Sequence, residues 1–291
     1  MISIVITAFN EQKTIARSIE SILNQKIKEK YELIVSAPDE ETQKIIRGYK
    51  NVKLFRDPGK GKSYAINLLL KKIKGDKIIL TDGDVYVSEN SINEILGKFE
   101  DSQVGCVTGR PVPIEDKKTK YGYWANFLFD SAHRLRKKLN NEGKFLECSG
   151  YLWAFRKGVI ENFPLDVAED TIVPYLFSEK KYKISYAENA FVFIKNVDNW
   201  KDWINQKVRT SRAHETLNKY VDVKKIPRSK TFKNESKGIF NLFSYPHNIR
   251  EFFWTIELLF ARLYMWGIVF FDVYIKKKYH RDEWDRIEST K

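Results

Sequence analysis

The chain has 291 residues, of which 43% are hydrophobic and 14% aromatic. A chain of this length and apolar content can bury a large core, so extensive disorder is excluded. The formal net charge of +13 indicates an anionic partner, and nucleic acid, a membrane surface or a nucleoside diphosphate would each satisfy it.

The first hundred residues alternate between predicted strands and predicted helices. Residues 2–9 form a continuous apolar and β-branched run, typical of a strand buried on both faces, and isoleucines recur at helical spacing within 10–25. Three further strand-like runs lie at 31–37, 52–57 and 77–84. This alternation predicts an α/β fold with a mostly parallel sheet flanked by helices.

Polar residues stand after each of these four runs. Glu11 follows the first, Asp39 the second, a loop with Gly61 the third, and Asp82 and Asp84 end the fourth. Ligands of such sheets bind beyond the carboxyl ends of the strands. We therefore expect these residues to line one binding site.

The loop "DPGKGKSYAIN" resembles the phosphate-binding loop of nucleotide hydrolases only in part. That pattern requires a glycine five positions before Gly61, in front of Lys62 and Ser63, and Arg56 stands there instead. The loop therefore does not predict a nucleotide hydrolase.

Asp82 and Asp84 form a D-x-D pair at the end of an apolar run. Carboxylates so spaced can both turn toward one hard divalent cation that bridges two phosphate oxygens. A solvated turn is the commoner explanation of an isolated D-x-D, so the neighbouring segments must decide.

From about residue 104 the pattern becomes mixed. Residues 104–111 are predicted as a strand, 121–139 as a helix, and 144–157 as a strand pair around Gly150.

Six blocks, in order along the chain, resemble the family 2 glycosyltransferases, which have the GT-A fold. The blocks are "VITAFNE", "GKGKSYAIN", "GDKIILTDGDV", "SGYLWAFRKGVIENFP", "AEDTIVPYLFSEKKYKISYAENAFV" and "WINQKVRTSRA". The resemblance implies a glycosyltransferase of hexosyltransferase type that depends on a metal ion. Such an enzyme moves a sugar from a nucleoside-diphosphate donor, UDP- or GDP-linked, to an acceptor hydroxyl with inversion.

The resemblance also implies roles for individual residues. Asp84, together with Asp82, would hold Mg²⁺ or Mn²⁺ against the diphosphate, and Asp170 matches the general base. Arg209 and Arg212 match diphosphate contacts, although a solvated basic helix face is the alternative. Further donor-side matches are Ala8, Phe9, Glu11, Asp39, Gly61, Lys62 and Asn67. Gly150 and Glu169 match the acceptor side, and acids at 169 and 170 also suit the first turn of any helix.

Two positions depart from the family pattern. The second strand leads to "SAPDE" rather than to adjacent aspartates, so Asp39 is a candidate for base or ribose recognition by position only. Thr210 stands where the family's Q-x-x-R-W element has tryptophan. Because that tryptophan resembles an acceptor platform in polymer-forming members, we expect transfer of one sugar rather than processive synthesis.

Two other classes of function compete with this interpretation. A basic nucleic-acid-binding protein agrees with the charge, but the chain lacks the sequence patterns of the usual modules, and we expect no nucleic acid partner. A sugar-nucleotide nucleotidyltransferase would share the α/β scaffold, but "AFNE" stands where its glycine-rich signature is expected.

We expect residues 1–225 to form the glycosyltransferase domain, with a nucleotide-sugar-binding half at 1–103 and an acceptor-side half at 104–225. Residues 226–291 are predicted to be a basic connector and an amphipathic helical tail. Cys106 and Cys148 allow at most one disulfide, and no signal-peptide pattern precedes the first strand, so we expect buried thiols in a cytoplasmic protein.

The tail segment 250–280 is rich in aromatic and aliphatic residues, but Glu257, Arg262 and Asp272 interrupt it. At about 100° per residue these charges share one side of a helix and leave an apolar side. We expect a helix that lies on the anionic inner face of the cell membrane, close to a glycan or lipid-linked acceptor. Packing on its own domain or on a second subunit is the alternative.

Overall fold

The structure is a computed structural model that describes residues 1–223, 225, 226, 231 and 243–277. Most of the predicted connector and the end of the tail, including Lys278, lie outside the described residues.

The first half of the chain forms the parallel part of one sheet. Its strands are β1 (Ile2–Thr7), β2 (Tyr31–Ala37), β3 (Val52–Arg56) and β4 (Lys77–Asp82). They lie in the order β3-β2-β1-β4, all parallel, and β1 is buried along its whole length. The continuous apolar run at 2–9 therefore contains a central strand with both faces covered, as predicted.

Helices cover both faces of this sheet. They are α1 (Ile15–Leu23), α2 (Glu40–Ile46), α3 (Lys62–Leu70) and α4 (Ser91–Lys98), and the short strand β5 (Tyr86–Val87) precedes α4. Ile4 and Ile6 pack in the core with α1, whereas Val5 packs on the other side with α3. Successive side chains of β1 thus point alternately into the hydrophobic cores on the two faces of the sheet.

The second half extends the sheet with both antiparallel and parallel pairs. Its elements are β6 (Val104–Pro113), α5 (Lys120–Asn141), β7 (Leu152–Arg156), α6 (Glu169–Glu179) and β8 (Lys183–Ile194). The eight-stranded order is β3-β2-β1-β4-β7-β6-β8-β5, in which β7 runs antiparallel to both β4 and β6.

The predicted strand pair at 144–157 is wrong in its first half. Residues 144–149 form no strand, and β7 begins only at Leu152. Side chains bind two backbone groups of this segment: Thr108 Oγ1 accepts from Ser149 N–H at 3.0 Å, and Arg136 Nε donates to the Glu147 carbonyl at 3.1 Å.

The two cysteines lie next to each other across this region. Cys106 on β6 and Cys148 are both free and buried, with their Sγ atoms 3.3 Å apart. Burial raises the pKa of the Cys148 thiol well above its ordinary value. The expectation of buried thiols is confirmed.

A third layer of helices packs beside the sheet. It contains α5, α7 (Trp200–Arg212) and α8 (Ile249–Phe270), which continues as a π-helical turn at Phe271–Ile275. Thr255 Oγ1 lies 2.7 Å from the Tyr123 hydroxyl, and Trp124 Nε1 donates to the Trp254 carbonyl at 2.7 Å. The predicted tail is therefore helical and packs on α5 and α7, while the predicted domain boundaries stay a prediction.

Candidate active site

The carboxyl ends of β1 and β4 meet at one edge of the sheet. Thr7 and Asp82 are register partners, and Gly83 N–H donates to the Thr7 carbonyl at 2.8 Å. A Cβ on Gly83 would lie 2.8 Å from the Ala8 Cβ, so only glycine lets the two strand ends approach this closely. The parallel register thus brings the first predicted donor turn and the D-x-D pair together.

Asp39 joins the same edge from β2. Its Oδ1 accepts from Thr42 N–H at 2.9 Å, which caps α2, and its Oδ2 accepts from Asn10 N–H at 2.8 Å. Burial opposes ionisation, but these hydrogen bonds outweigh it and hold the pKa of Asp39 below its ordinary value. Asp39 therefore fastens the turn after β1 to α2, and its contact with a donor base or ribose stays a prediction.

The predicted donor residues of the first turn are tightly held. Ala8 is buried, and its N–H donates to the Ser36 carbonyl at 2.9 Å. Glu11 is also buried, its N–H donates to Thr42 Oγ1 at 2.9 Å, and its Oε2 accepts from Thr14 Oγ1 at 2.8 Å. These hydrogen bonds tie the turn that contains Ala8, Phe9 and Glu11 to β2 and α2.

Lys62 lies between two carboxylates at the start of α3. Gly61, with φ of 112°, turns the chain into the helix, and the Lys62 ammonium then contacts Asp82 Oδ1 at 2.7 Å and Glu169 Oε1 at 2.9 Å. Burial alone would lower the pKa of Lys62, but the two carboxylates raise it well above its ordinary value. A permanently charged ammonium thus links the D-x-D pair to the start of α6.

Burial and a neighbouring charge perturb the carboxyl of Asp84. Its burial, followed by the negative charge of Asp82, raises its pKa to about 7, although the positive charges of Lys62 and Arg209 act in the opposite direction. The neighbouring charge of Asp82 thus disfavours ionisation of Asp84 until a cation or proton joins it.

The donor set at Asp82 and Asp84 fits a divalent cation that is shared with a ligand. Across the described residues, His, Cys, Asp and Glu form no group of three or more that could hold a metal ion unaided. Two hard carboxylates leave most of the coordination sphere to water or phosphate oxygens, as is usual for Mg²⁺ with nucleotide ligands.

Asp170 faces the segment before β7. A Cβ on Gly150 would lie 2.9 Å from Asp170 Oδ2, so the glycine leaves room for the carboxylate. Tyr151 follows, and burial together with the charges of Asp84, Asp82 and Asp170 raises the pKa of its hydroxyl well above its ordinary value. Its carbonyl accepts from Thr81 Oγ1 at 2.7 Å. Tyr151 therefore lies near both the D-x-D pair and the predicted base.

Sequence reasoning missed two aromatic residues at this site. Tyr151 lies within the quoted block "SGYLWAFRKGVIENFP" but was not singled out, although it directly follows Gly150. Phe129 on α5 packs against the Tyr151 ring, with centroids 6.1 Å apart. Only the fold could reveal Phe129, because nothing in its own segment marks it.

The two arginines of α7 have different surroundings. The charge of Arg209 acts on both Asp84 and Tyr151. Arg212 instead pairs with Asp272 of the π-helical turn at 3.3 Å, and both side chains are mostly buried. The structure therefore brings Arg209 to the site, whereas Arg212 faces the C-terminal helix, and diphosphate contact by Arg212 is a prediction that this pairing does not favour.

Asn67 also has a contact within the protein. Its Nδ2 donates to the Phe163 carbonyl at 2.9 Å, and its Oδ1 accepts from Phe163 N–H at 2.6 Å. The amide thus fastens α3 to the segment before α6, and its contact with a donor stays a prediction that this arrangement does not favour.

Gly150→Ala is expected to lower turnover by about tenfold or more, since small displacements of catalytic groups are costly. The added methyl group would meet the flexible end of Asp170, so the carboxylate must shift while the fold is retained. Steady-state kinetics measure the effect. Gly97→Ala on α4 is the matched control, because a Cβ there meets nothing within 4 Å, and its turnover should equal that of the wild type. Equal turnover in both variants would contradict the assigned position of Asp170.

Known proteins resemble this chain in sequence. The family profile described as "Glycosyl transferase family 2" matches residues 3–163. The probable glycosyltransferase YdaM of Bacillus subtilis is 25% identical over 289 residues, which cover 92% of this chain and 65% of YdaM. The poly(ribitol-phosphate) β-N-acetylglucosaminyltransferase TarP of Staphylococcus aureus is 23% identical over 252 residues, which cover 81% of this chain and 75% of TarP. The chain thus spans less than two thirds of the length of YdaM.

Solved structures show the same fold. The mannosyltransferase PcManGT from Pyrobaculum calidifontis, solved with GDP-Man and Mn²⁺, superposes with a TM-score of 0.59 at 16% identity, covering 94% of this chain and 81% of PcManGT. S. aureus TarS 1–349 superposes with a TM-score of 0.52 at 16% identity, covering 91% of this chain and 80% of that chain. The GT-A fold expected from the sequence is confirmed.

Proposed function

This chain belongs to glycosyl transferase family 2, and from that premise we propose that it moves one sugar from a nucleoside-diphosphate sugar to an acceptor hydroxyl, with inversion. One observation carries the proposal. The D-x-D carboxylates, the Lys62 ammonium and the charge of Arg209 lie together at the carboxyl edge of the sheet, with Asp170 beside the adjoining Gly150–Tyr151 segment.

The donor diphosphate suits the charged end of this site. Lys62 and Arg209 supply positive charge for phosphate oxygens, and Asp84 with Asp82 would hold Mg²⁺ or Mn²⁺. When bound, such a cation stabilises the negative charge of the departing diphosphate as a Lewis acid. Lys62 also pairs with Glu169, so the same ammonium connects the donor-binding end of the site to the start of α6.

Asp170 suits the acceptor end. In a single displacement the acceptor oxygen attacks the anomeric carbon from the face opposite to the diphosphate, and the bond to the diphosphate breaks as the new bond forms. The Asp170 carboxylate takes the proton of the attacking hydroxyl, which is the role of a general base. Attack from the opposite face inverts the configuration of the anomeric carbon.

The donor is proposed to be a UDP- or GDP-linked hexose. TarP is named as an N-acetylglucosaminyltransferase, and PcManGT was solved with GDP-Man and Mn²⁺. The experiment is a thermal-shift panel of UDP- and GDP-sugars, each with Mn²⁺ and with EDTA. A ligand that binds only the folded protein raises its melting temperature, so the true donor should do so and should need the cation. No shift with any donor would contradict the proposal.

Arg209→Gln is expected to weaken nucleoside-diphosphate binding by about tenfold or more, since hydrogen bonds to charged groups contribute about 1.5–3 kcal/mol. Arg212→Gln is the matched control on the same helix. It should leave this affinity nearly unchanged and instead lower the melting temperature, because Asp272 loses its mostly buried partner. Titration calorimetry with the nucleoside diphosphate separates the two variants, and equal affinities for wild type and Arg209→Gln would contradict a diphosphate role for Arg209.

The acceptor is proposed to be a glycan or a lipid-linked saccharide at the cytoplasmic face of the membrane. The exposed apolar surface of α8 supports this location. A lipid-linked acceptor would present its hydroxyl at the height of the headgroups, within reach of an enzyme docked on that surface.

A further inference from the structure

Two acids of α8 and its π-helical turn pair with basic residues of the domain. Glu257 contacts Lys120 of α5 at 3.1 Å, and Asp272 contacts Arg212 of α7 at 3.3 Å. Between these ion pairs a stripe of small and aliphatic side chains packs on the same two helices. The stripe consists of Thr255, Leu258, Ala261, Met265, Val269 and Val273. The domain therefore packs on one side of this helix and pairs with two of its acids.

The opposite side of this helix is apolar and faces outward. We call it the aromatic face, and it consists of Ile249, Phe252, Phe253, Phe260, Leu263, Tyr264, Phe270, Phe271, Tyr274 and Ile275, all exposed. Phe260 is 64% exposed and Tyr274 60%. Surface helices of soluble proteins normally show the reverse arrangement, with polar residues outward, so this face is a candidate for a partner.

We propose that the aromatic face docks the enzyme on an anionic lipid bilayer, with α8 lying in the plane of the interface. Basic residues flank the face at both ends, with Arg250 at the start of α8 and Lys276 and Lys277 after the π-helical turn, all of them exposed. Aromatic side chains favour the boundary between acyl chains and headgroups, and flanking basic residues attract anionic lipids.

Charge favours a membrane over a second copy of the chain as the occupant. Each chain carries a formal net charge of +13, so two copies repel each other on approach. An anionic bilayer attracts the same charge and accepts the whole apolar face at once.

The packing of α8 favours a helix that lies on the bilayer over one that crosses it. Ile249–Ile275 is long and apolar enough to span by length and composition alone. Spanning would strip the helix from α5 and α7, break its pairs with Lys120 and Arg212, and leave Leu258 and Met265 without their cores. Docking through the aromatic face keeps all of these contacts.

Docking through the aromatic face would also bring the active site close to a lipid-linked acceptor, an inference that rests on the proposed function. The helix α7 carries Arg209 toward the active site and Arg212 toward Asp272, so one rigid element connects the docked surface to the site. A saccharide linked to a lipid of the same bilayer would then share the membrane plane with the docked enzyme.

The test uses the full chain in flotation with vesicles of phosphatidylcholine, with and without phosphatidylglycerol. Wild type should float with the anionic vesicles at low salt and less so at high salt. The double variant Phe253→Gln/Phe260→Gln should partition about tenfold or more weakly, since both exposed rings lie on the aromatic face. Ile114→Gln/Leu135→Gln, which changes two exposed apolar residues away from α8, should float like wild type.

Two further readouts separate the outcomes. Melting temperature and donor binding in solution should be equal in wild type and both double variants, so a failure of docking is distinguishable from a failure of the proposed function. Absence of flotation by wild type would overturn the docking proposal. So would sedimentation showing a dimer that only the Phe253→Gln/Phe260→Gln variant dissociates, because the aromatic face would then be a subunit interface.

Discussion

Asp170→Asn is expected to lower turnover by about a hundredfold to ten-thousandfold, the usual contribution of a general base. Asparagine has nearly the same size as aspartate and can still occupy the space beside Gly150, but it cannot accept the proton of the attacking hydroxyl. Donor affinity should change little, because the predicted donor contacts lie at Lys62, Arg209 and the D-x-D pair.

Steady-state and single-turnover kinetics with a saturating donor measure this effect, and calorimetry measures donor affinity separately. Asp166→Asn is the matched control, since Asp166 precedes α6 and pairs at the surface with Lys219. It should retain turnover. Turnover of Asp170→Asn within about threefold of wild type would place the base elsewhere, because general-base losses are far larger.

Asp84→Asn is expected to abolish measurable transfer, and so is removal of divalent cations with EDTA. Asp84 is the predicted main ligand of the cation, and without that charge the departing diphosphate loses its stabilisation. The fold should be unaffected or more stable. The pKa of Asp84 is raised to about 7 in the folded protein, so its ionised form costs stability above the ordinary carboxyl range, and asparagine removes that cost.

Product formation and melting temperature are measured with Mn²⁺ and with EDTA. Asp76→Asn is a matched control just before β4, at the end of the strand opposite to the site, where Asp76 pairs with the amino terminus. It should keep activity and cation dependence. Full activity of the wild type in excess EDTA, or of Asp84→Asn with Mn²⁺, would contradict the metal assignment.

The sequence predicted the parallel half of the sheet well because its strands are buried on both faces. A continuous apolar run such as 2–9 is typical of a central strand in a parallel sheet. In such a sheet the polar residues that follow each strand meet at one edge. The insertion of β7 between β4 and β6 was not predictable. It depends on pairing between distant segments, and residues 144–149, which looked like a strand in the sequence, form none.

The sequence predicted those site residues that stand at the end of a strand or at the start of a helix. Asp82, Asp84 and Lys62 follow strand ends or begin a helix, and the structure brings them together. The spacing of Arg209 and Arg212 could not show that the second arginine faces α8, because helical spacing gives relative but not absolute orientation. Likewise, the sequence placed the charges of the tail on one side without showing that Glu257 and Asp272 pair with the domain.

The most direct test of the central claim follows the fate of the sugar. The full chain is incubated with Mn²⁺, with the nucleotide sugar that stabilises it, labelled at the anomeric carbon, and with a lipid extract that contains saccharide-linked lipids. Magnetic resonance should then show release of a nucleoside diphosphate and a new glycosidic signal of inverted configuration. Retained configuration at the anomeric carbon, or an unchanged donor after long incubation, would contradict the account.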